Sequence, residues 1–154
     1  MQLNINSDLE VVACTILFKD YKLNVCNLYL PNHADVDIDS LNNLLKSIPD
    51  PKIVLGDFNA RHTSWGAPTN CPRGRVITDS FLENDLIILN DGSPTRYDRY
   101  ANTHSHIDVT CCSTVLGNKL DWSILELPYR SDHYPIIIYY DFEQYYTKGA
   151  PDIN

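Results

Sequence analysis

Three short runs of this 154-residue sequence carry side chains able to move protons, hold a cation or bind an anion. The first is Gly56-Asp57-Phe58-Asn59-Ala60, directly after the apolar triplet Ile53-Val54-Leu55. In extended backbone, residues two apart share a face, so Asp57 and Asn59 are expected to point together into a cleft while Phe58 anchors the opposite side in the core. A carboxylate beside an amide can take a proton from water and orient a phosphate, or ligate a hard cation through oxygen. The second run is Ser105-His106-Ile107-Asp108, with Ile107 expected to face the core and Asp108 the other way. A carboxylate there can hold an imidazole in one tautomer and support its positive form. The third is Ser131-Asp132-His133-Tyr134-Pro135, at a loop tip before the apolar residues 136–140. There Asp132 and His133 can converge on one site, the first as a metal ligand and the second as a donor to a phosphoryl oxygen. Taken singly, each run is more often a solvated turn.

The overlapping run His104-Ser105-His106-Ile107-Asp108 has the HxHxD form of zinc hydrolases. It lacks the following histidine, and no second His/Asp cluster supplies further ligands. His104 and His106 are therefore read as surface-loop residues.

The elements that must position these runs follow from the apolar pattern. Residues 11–18 and 23–30 are apolar or alternating and flank Lys19-Asp20-Tyr21, which predicts a hairpin ended by Pro31-Asn32. From Asp37 on, Ile38, Leu41, Leu44, Leu45 and Ile48 recur at helical spacing until Pro49-Asp50-Pro51. Ile53-Val54-Leu55 is a continuous apolar run, as expected of a strand covered on both faces. A long polar loop is predicted over residues 60–73, then a helix carrying Val76, Ile77, Phe81 and Leu82 and ending near Asn84-Asp85. Strands are predicted at residues 86–89, 107–111, 122–125 and 135–140. One domain over residues 1–146 and a tail at 147–154 complete the reading.

Together and in this order, the three runs resemble the signature of the endonuclease/exonuclease/phosphatase superfamily: a GDFN strand end, an SxID strand and an SDH loop. Tyr29, in Asn27-Leu28-Tyr29-Leu30-Pro31-Asn32, is similar to the active-site tyrosine of the YxPN element in the apurinic/apyrimidinic endonuclease branch. Between the runs, His62, Trp65-Gly66, Asn70, Arg73-Gly74, the stretch from Asn84 to Asn90, Pro94-Thr95 and Asp121-Trp122-Ser123-Ile124 resemble the endonuclease of jockey-like arthropod non-LTR retrotransposons.

The resemblance implies an α/β (α+β) sandwich of the DNase I-like kind, two packed mixed β-sheets flanked by helices. It implies Asp57 as general base, Asn59 as orienter of water, Asp108 as the positioner of His133, and Tyr29 and His133 as contacts to the phosphate. Asp132, with Asp57 and Asn59, would hold Mg²⁺ or Mn²⁺. An early Asn and a metal-binding Glu of the family have no counterpart here. The first strands are thus expected to be missing, and Met1 to be internal to a longer reading frame. The implied activity is nicking of DNA to leave a 3′ hydroxyl that primes reverse transcription by a polymerase domain of the same element, impaired by the truncation. Alternatives are an inactive mobile-element fragment and a phosphatase of the same fold.

Composition bounds these expectations. Hydrophobic residues make up 44% and charged residues 21%, a globular balance. Twelve Lys and Arg against twenty Asp and Glu give a net charge of −8, which excludes a broad basic nucleic-acid surface. A carboxylate cluster inverted locally by a divalent cation answers that objection. The five cysteines form no CxxC pair and are expected as reduced thiols, mainly buried in strands. With no signal segment and no long apolar run, the chain is expected to be soluble, intracellular and free of membrane partners. The family role implies the nucleus.

Overall fold

The computed structural model describes residues 1–140, apart from Asn4, Asn6, Asp8, Asp20, Ala34 and Pro128. The expected boundary at 146 and the tail beyond it lie outside the described residues. Strands β1 (Glu10–Phe18) and β2 (Tyr21–Tyr29) form the expected hairpin, and Lys19 at φ 52° begins its turn. Helix α1 (Ile38–Ser47) starts where Asp37 accepts the amides of Asp39 and Ser40, and it buries Leu41, Asn42, Leu44 and Leu45. Its last carbonyls are met by the buried Lys52, whose Nζ donates to Leu45 O at 2.9 Å and Ile48 O at 3.0 Å.

Lys52 opens β3 (Lys52–Asp57), which lies parallel to β2, as a helical crossover allows. The expected loop over residues 60–73 is shorter than its polarity suggested. It holds a 3₁₀ turn at Thr63–Trp65, and α2 (Pro72–Glu83) already begins at Pro72, with Cys71 Sγ accepting the amide of Gly74. Pro at the first turn is pre-organised for a helix. Leu82, placed on the apolar stripe from sequence, is 69% exposed, and the buried face is Gly74, Ile77, Ser80 and Phe81.

After β4 (Leu86–Ile88) comes a hairpin the apolar pattern did not predict: β5 (Arg96–Asp98) and β6 (Thr103–Ser105). The chain finishes, within the described residues, with β7 (Asp108–Ser113), β8 (Leu120–Ile124) and β9 (Ile136–Tyr140).

The main sheet is mixed, in the order β1-β2-β3-β7-β4, and β8–β9 form a separate antiparallel pair. Alternation along the central strands gives the main sheet two apolar faces. Cys26, Leu28, Val54, Val109 and Cys111 meet α1, α2 and Trp65 on one side, while Leu23, Ile53 and Cys112 meet Leu116, Leu120 and Ile138 on the other. Phe58 and Phe81 cross edge to face at 5.6 Å in the helical layer, each fully or almost fully buried. Burying an aromatic of this size contributes roughly 1.5–3 kcal/mol. The cysteines are free thiols, and burial pushes Cys26 and Cys112 up to about 11. On β1 the side facing the β8–β9 layer is open: Val12, Ile16 and Phe18 remain 67%, 49% and 44% exposed.

Gly56 fixes how closely β2 and β3 approach. At φ +148°, an added Cβ would fall 1.8 Å from Leu28 O, so no side chain fits without parting the strands. Gly56→Ala is expected to cost more than about 3 kcal/mol. Leu82→Ala, on the exposed side of α2, is expected to stay within roughly 0.5 kcal/mol. Urea unfolding of the two variants checks this, and equal losses would refute the close approach.

Candidate active site

The site forms where β2, β3 and β7 end side by side. Register puts Tyr29 opposite Asp57 across the parallel pair and Asp57 opposite Asp108 across the antiparallel pair. With a side-chain period of two, all three lie on the face turned toward the β8–β9 layer. They line a cleft of about 340 Å³ with Asn27, Leu55 and Ile136. Tyr29 is 44% exposed at its rim.

Two carboxylates opposed across a ladder repel. His133 answers one of them, its Nδ1 lying 3.0 and 2.9 Å from the two oxygens of Asp108. A carboxylate only accepts, so Nδ1 carries the proton and Nε2 is left to accept or, in the imidazolium, to donate. Ligand atoms of Asp57, Asp108 and His133 all fall within 4.8 Å of one another. Burial raises the Asp108 carboxyl above its usual range, against the opposing pull of Thr95 and His133, and Asp57 adds to the rise. Thr95 is fully buried and its Oγ1 accepts the amides of Ile107 and Asp108.

Asn59 and Asp132 are placed differently from this trio. Asn59 leaves the extended path at φ 47°, so the side-by-side presentation expected of a continuing strand does not occur; its backbone N donates to Asp57 Oδ1 at 2.9 Å and its Nδ2 to Leu30 O at 3.2 Å. A short polar side chain tolerates this left-handed backbone better than most. Asp132 is 50% exposed and its Oδ2 accepts from Arg96 Nε at 2.7 Å. That hydrogen bond holds its carboxyl below the usual range. The histidines of the HxHxD run diverge: His104 packs at a tilt against Tyr97 with centroids 4.9 Å apart, whereas a ring nitrogen of His106 lies 3.1 Å from Gly92 O.

Two supports were not assigned roles from sequence. Arg73, in the first turn of α2, donates Nε to Phe58 O at 2.9 Å and Nη2 to Leu30 O and Pro31 O at 3.0 Å each. One guanidinium thereby ties the end of β2 to the loop after β3, next to Tyr29, Asp57 and Asn59. Arg96 sits on β5, and β5 is sewn to the SDH loop by Tyr97 N to Asp132 O at 2.7 Å and Tyr134 N to Thr95 O at 2.8 Å. The signal for Arg96 was the Arg-Tyr-Asp-Arg-Tyr run from 96 to 100, a basic and aromatic stretch in an acidic chain.

A central mixed sheet with helices on one face, a second strand layer on the other and an Asp-His pair at the strand ends define a DNase I-like nuclease class of fold and site. Residues 23–137 match the family described as endonuclease-reverse transcriptase, and the chain belongs to that family. It is 31% identical over 117 residues to the RNA-directed DNA polymerase of the mobile element jockey of Drosophila melanogaster, a match covering 75% of this chain and 13% of that polypeptide. It is 32% identical over 116 residues to the probable RNA-directed DNA polymerase of the X-element transposon from the same organism, covering 74% and 13%. Among solved structures, the endonuclease domain of TRAS1, a telomere-specific non-LTR retrotransposon, superposes with a TM-score of 0.75 at 25% identity. That match covers 84% of this chain and 63% of the TRAS1 chain. A Neisseria 3′ phosphatase bound to product DNA hairpin, with a TM-score of 0.68 at 16% identity over 92% of this chain and 72% of that one, shares the fold. The chain thus spans about an eighth of the length of the curated relatives it matches. Nucleases of this superfamily work with a divalent cation, and Asp57 sits in a group of ligand atoms with Asp108 and His133 that could hold one. Among the described residues, no helix is long and apolar enough to cross a membrane.

Two expectations follow. Because the folded state holds the Asp108 proton to a higher pH than the unfolded chain does, the stability linked to that proton is present below the ordinary carboxylate value and lost as pH rises through the raised one. In EDTA, wild type should therefore lose stability relative to Asp108→Asn as pH climbs from about 4 toward neutrality; parallel pH profiles in urea unfolding would contradict it. Separately, Arg73→Lys, which keeps the charge and loses the fork, should lower stability by about 2 kcal/mol, read from the shift in urea midpoint.

Proposed function

We propose that the chain hydrolyses one phosphodiester bond of duplex DNA in the presence of Mg²⁺ or Mn²⁺, leaving a 3′ hydroxyl. The observation that carries this reading is the Asp108–His133 pair set beside Asp57 in one cleft, with ligand atoms within 4.8 Å. Asp57 is the base that takes the proton from water, and Asn59, donating to Asp57, fixes that carboxylate and orients the water. As water bonds to phosphorus, the bond to the 3′ oxygen breaks and the leaving oxygen takes up a proton. His133, held at Nδ1 by Asp108, offers Nε2 to a nonbridging phosphoryl oxygen as charge grows there. Tyr29, at the cleft rim, donates its hydroxyl to the same phosphate.

Asp57, Asn59 and Asp132 would hold the hard cation through oxygen, and of the three Asp57 lies in the group of ligand atoms within 4.8 Å of one another. Bound there, the cation supplies Lewis-acid stabilisation of phosphoryl charge. Asp132 is the donor whose present partner, Arg96, competes for it.

The relatives named RNA-directed DNA polymerases suggest the setting: a longer polypeptide in which a reverse transcriptase extends the hydroxyl this site produces. Such a role places the working protein in the nucleus. Supercoiled plasmid is the direct substrate test. Asp57→Ala and His133→Ala should each lower Mg²⁺-dependent nicking by at least about 100-fold with small effects on folding, and EDTA should abolish it. Nicking that survives both variants would assign the activity elsewhere. Phosphate release from a 3′-phosphorylated end on plasmid left intact would instead make the chain a phosphatase.

A further inference from the structure

A second concavity has Asp132, the chain neighbour of His133, in its lining. It encloses about 360 Å³ between the β5–β6 hairpin and the loop before β9, and Arg96, Arg99 and Arg130 line it with Tyr100, Asp98 and Asp132. Half of the chain's six arginines thus meet in one pocket of a protein whose net charge is −8. The two acidic groups are already engaged. Asp132 is bound by Arg96 at 2.7 Å, and Asp98 Oδ1 accepts the amides of Tyr100 and Ala101, which closes the hairpin turn. Arg99 and Arg130 are exposed and, among the described residues, form no ion pair. Tyr100 and Tyr129 flank them with 104% and 68% exposure.

We infer that this pocket is a phosphate subsite: Arg99 and Arg130 grip a backbone phosphate of the DNA strand next to the one being cut. This deepens the endonuclease reading and rests on it. Geometry supplies the link, because Asp132 lines the pocket while its chain neighbour His133 bonds Asp108 of the cleft, and β5 is fastened to the Asp132–His133 segment by backbone hydrogen bonds. A strand crossing the His133 side of the cleft carries further phosphates past this segment at the spacing of its own backbone. Guanidinium is the group best matched to phosphate, since it presents donors in a planar fork. A contact to the backbone phosphate acts on register and affinity and not on sequence. In an acidic protein such a focused patch also steers DNA to one face, where a diffuse basic surface is lacking.

The test is the salt dependence of DNA binding by the full chain, measured by fluorescence anisotropy of a labelled duplex in EDTA. Each phosphate contact contributes about 0.9 to the slope of log K against log salt. The double variant Arg99→Ala/Arg130→Ala gives up that one phosphate and should lose about 0.9 from the slope, by a similar amount on unrelated sequences. Arg99→Lys/Arg130→Lys should restore most of it, because charge is retained. Lys46→Ala/Arg75→Ala removes the same charge from exposed positions on the two helices and should leave the slope near wild type. An unchanged slope in the arginine-pocket variant, or an equal loss in the helix variant, overturns the subsite while leaving the endonuclease reading intact. A wild-type chain with no salt-dependent affinity for DNA overturns both.

Discussion

Two carboxylates stand opposite each other at the end of the central ladder, and the neighbouring structure is organised around their repulsion. Asp57 and Asp108 are register partners, so neither can move away without unpairing β3 from β7. The fold gives each a different answer. Asp108 is mostly buried and receives the His133 ring and the Thr95 hydroxyl, whereas Asp57 receives the Asn59 amide and faces the open cleft. Unequal treatment of two like acids is a recurrent way of giving them separate chemical roles. Here it leaves one carboxylate committed to an imidazole and the other available to water or a cation.

Holding that geometry takes ties from outside the sheet. Gly56 lets β2 and β3 close up one residue before Asp57, and Arg73 bridges the carbonyls of Leu30, Pro31 and Phe58 just past it. On the β7 side, Thr95 and the hydrogen bonds between β5 and the SDH loop bring His133 to Asp108. Asp57 and His133, 76 residues apart in sequence, are thus held by hydrogen bonds to the backbone and not by side-chain packing alone. Ties of this kind survive substitution of surface residues.

What could be read from sequence tracks how much apolar surface each element buries. The β1–β2 hairpin, α1 and β3 were legible because Leu41, Leu44, Leu45, Val54 and their neighbours supply a clear period. The β5–β6 hairpin was not: Arg96-Tyr97-Asp98 and Thr103-His104-Ser105 bury no apolar side chain, and their position is decided by bonds to residues 132 and 134. The start of α2 was missed because cysteine is an unusual cap. In the site, strand alternation correctly set Asp57 beside an apolar anchor, Phe58, but it could not foresee that Asn59 would turn back at φ 47°. Nor does spacing reveal which cation a carboxylate meets, and for Asp132 it is Arg96.

The bare side of β1 has a practical meaning. Val12, Ile16 and Phe18 present alkyl and aromatic surface to solvent in a row, on the face opposite the helices. Sulfate and other strongly hydrated salts strengthen the burial of such surface, so they favour stacking of one sheet face on another. At the proposed phosphate subsite the same ions would screen arginine from phosphate and weaken a hold on nucleic acid. The two surfaces of this molecule therefore ask for opposite solvents. Conditions that would salt the chain off the proposed DNA substrate are those that press its open strands together, and a precipitate formed on stripping nucleic acid would report the sheet face and leave the cleft uninformed.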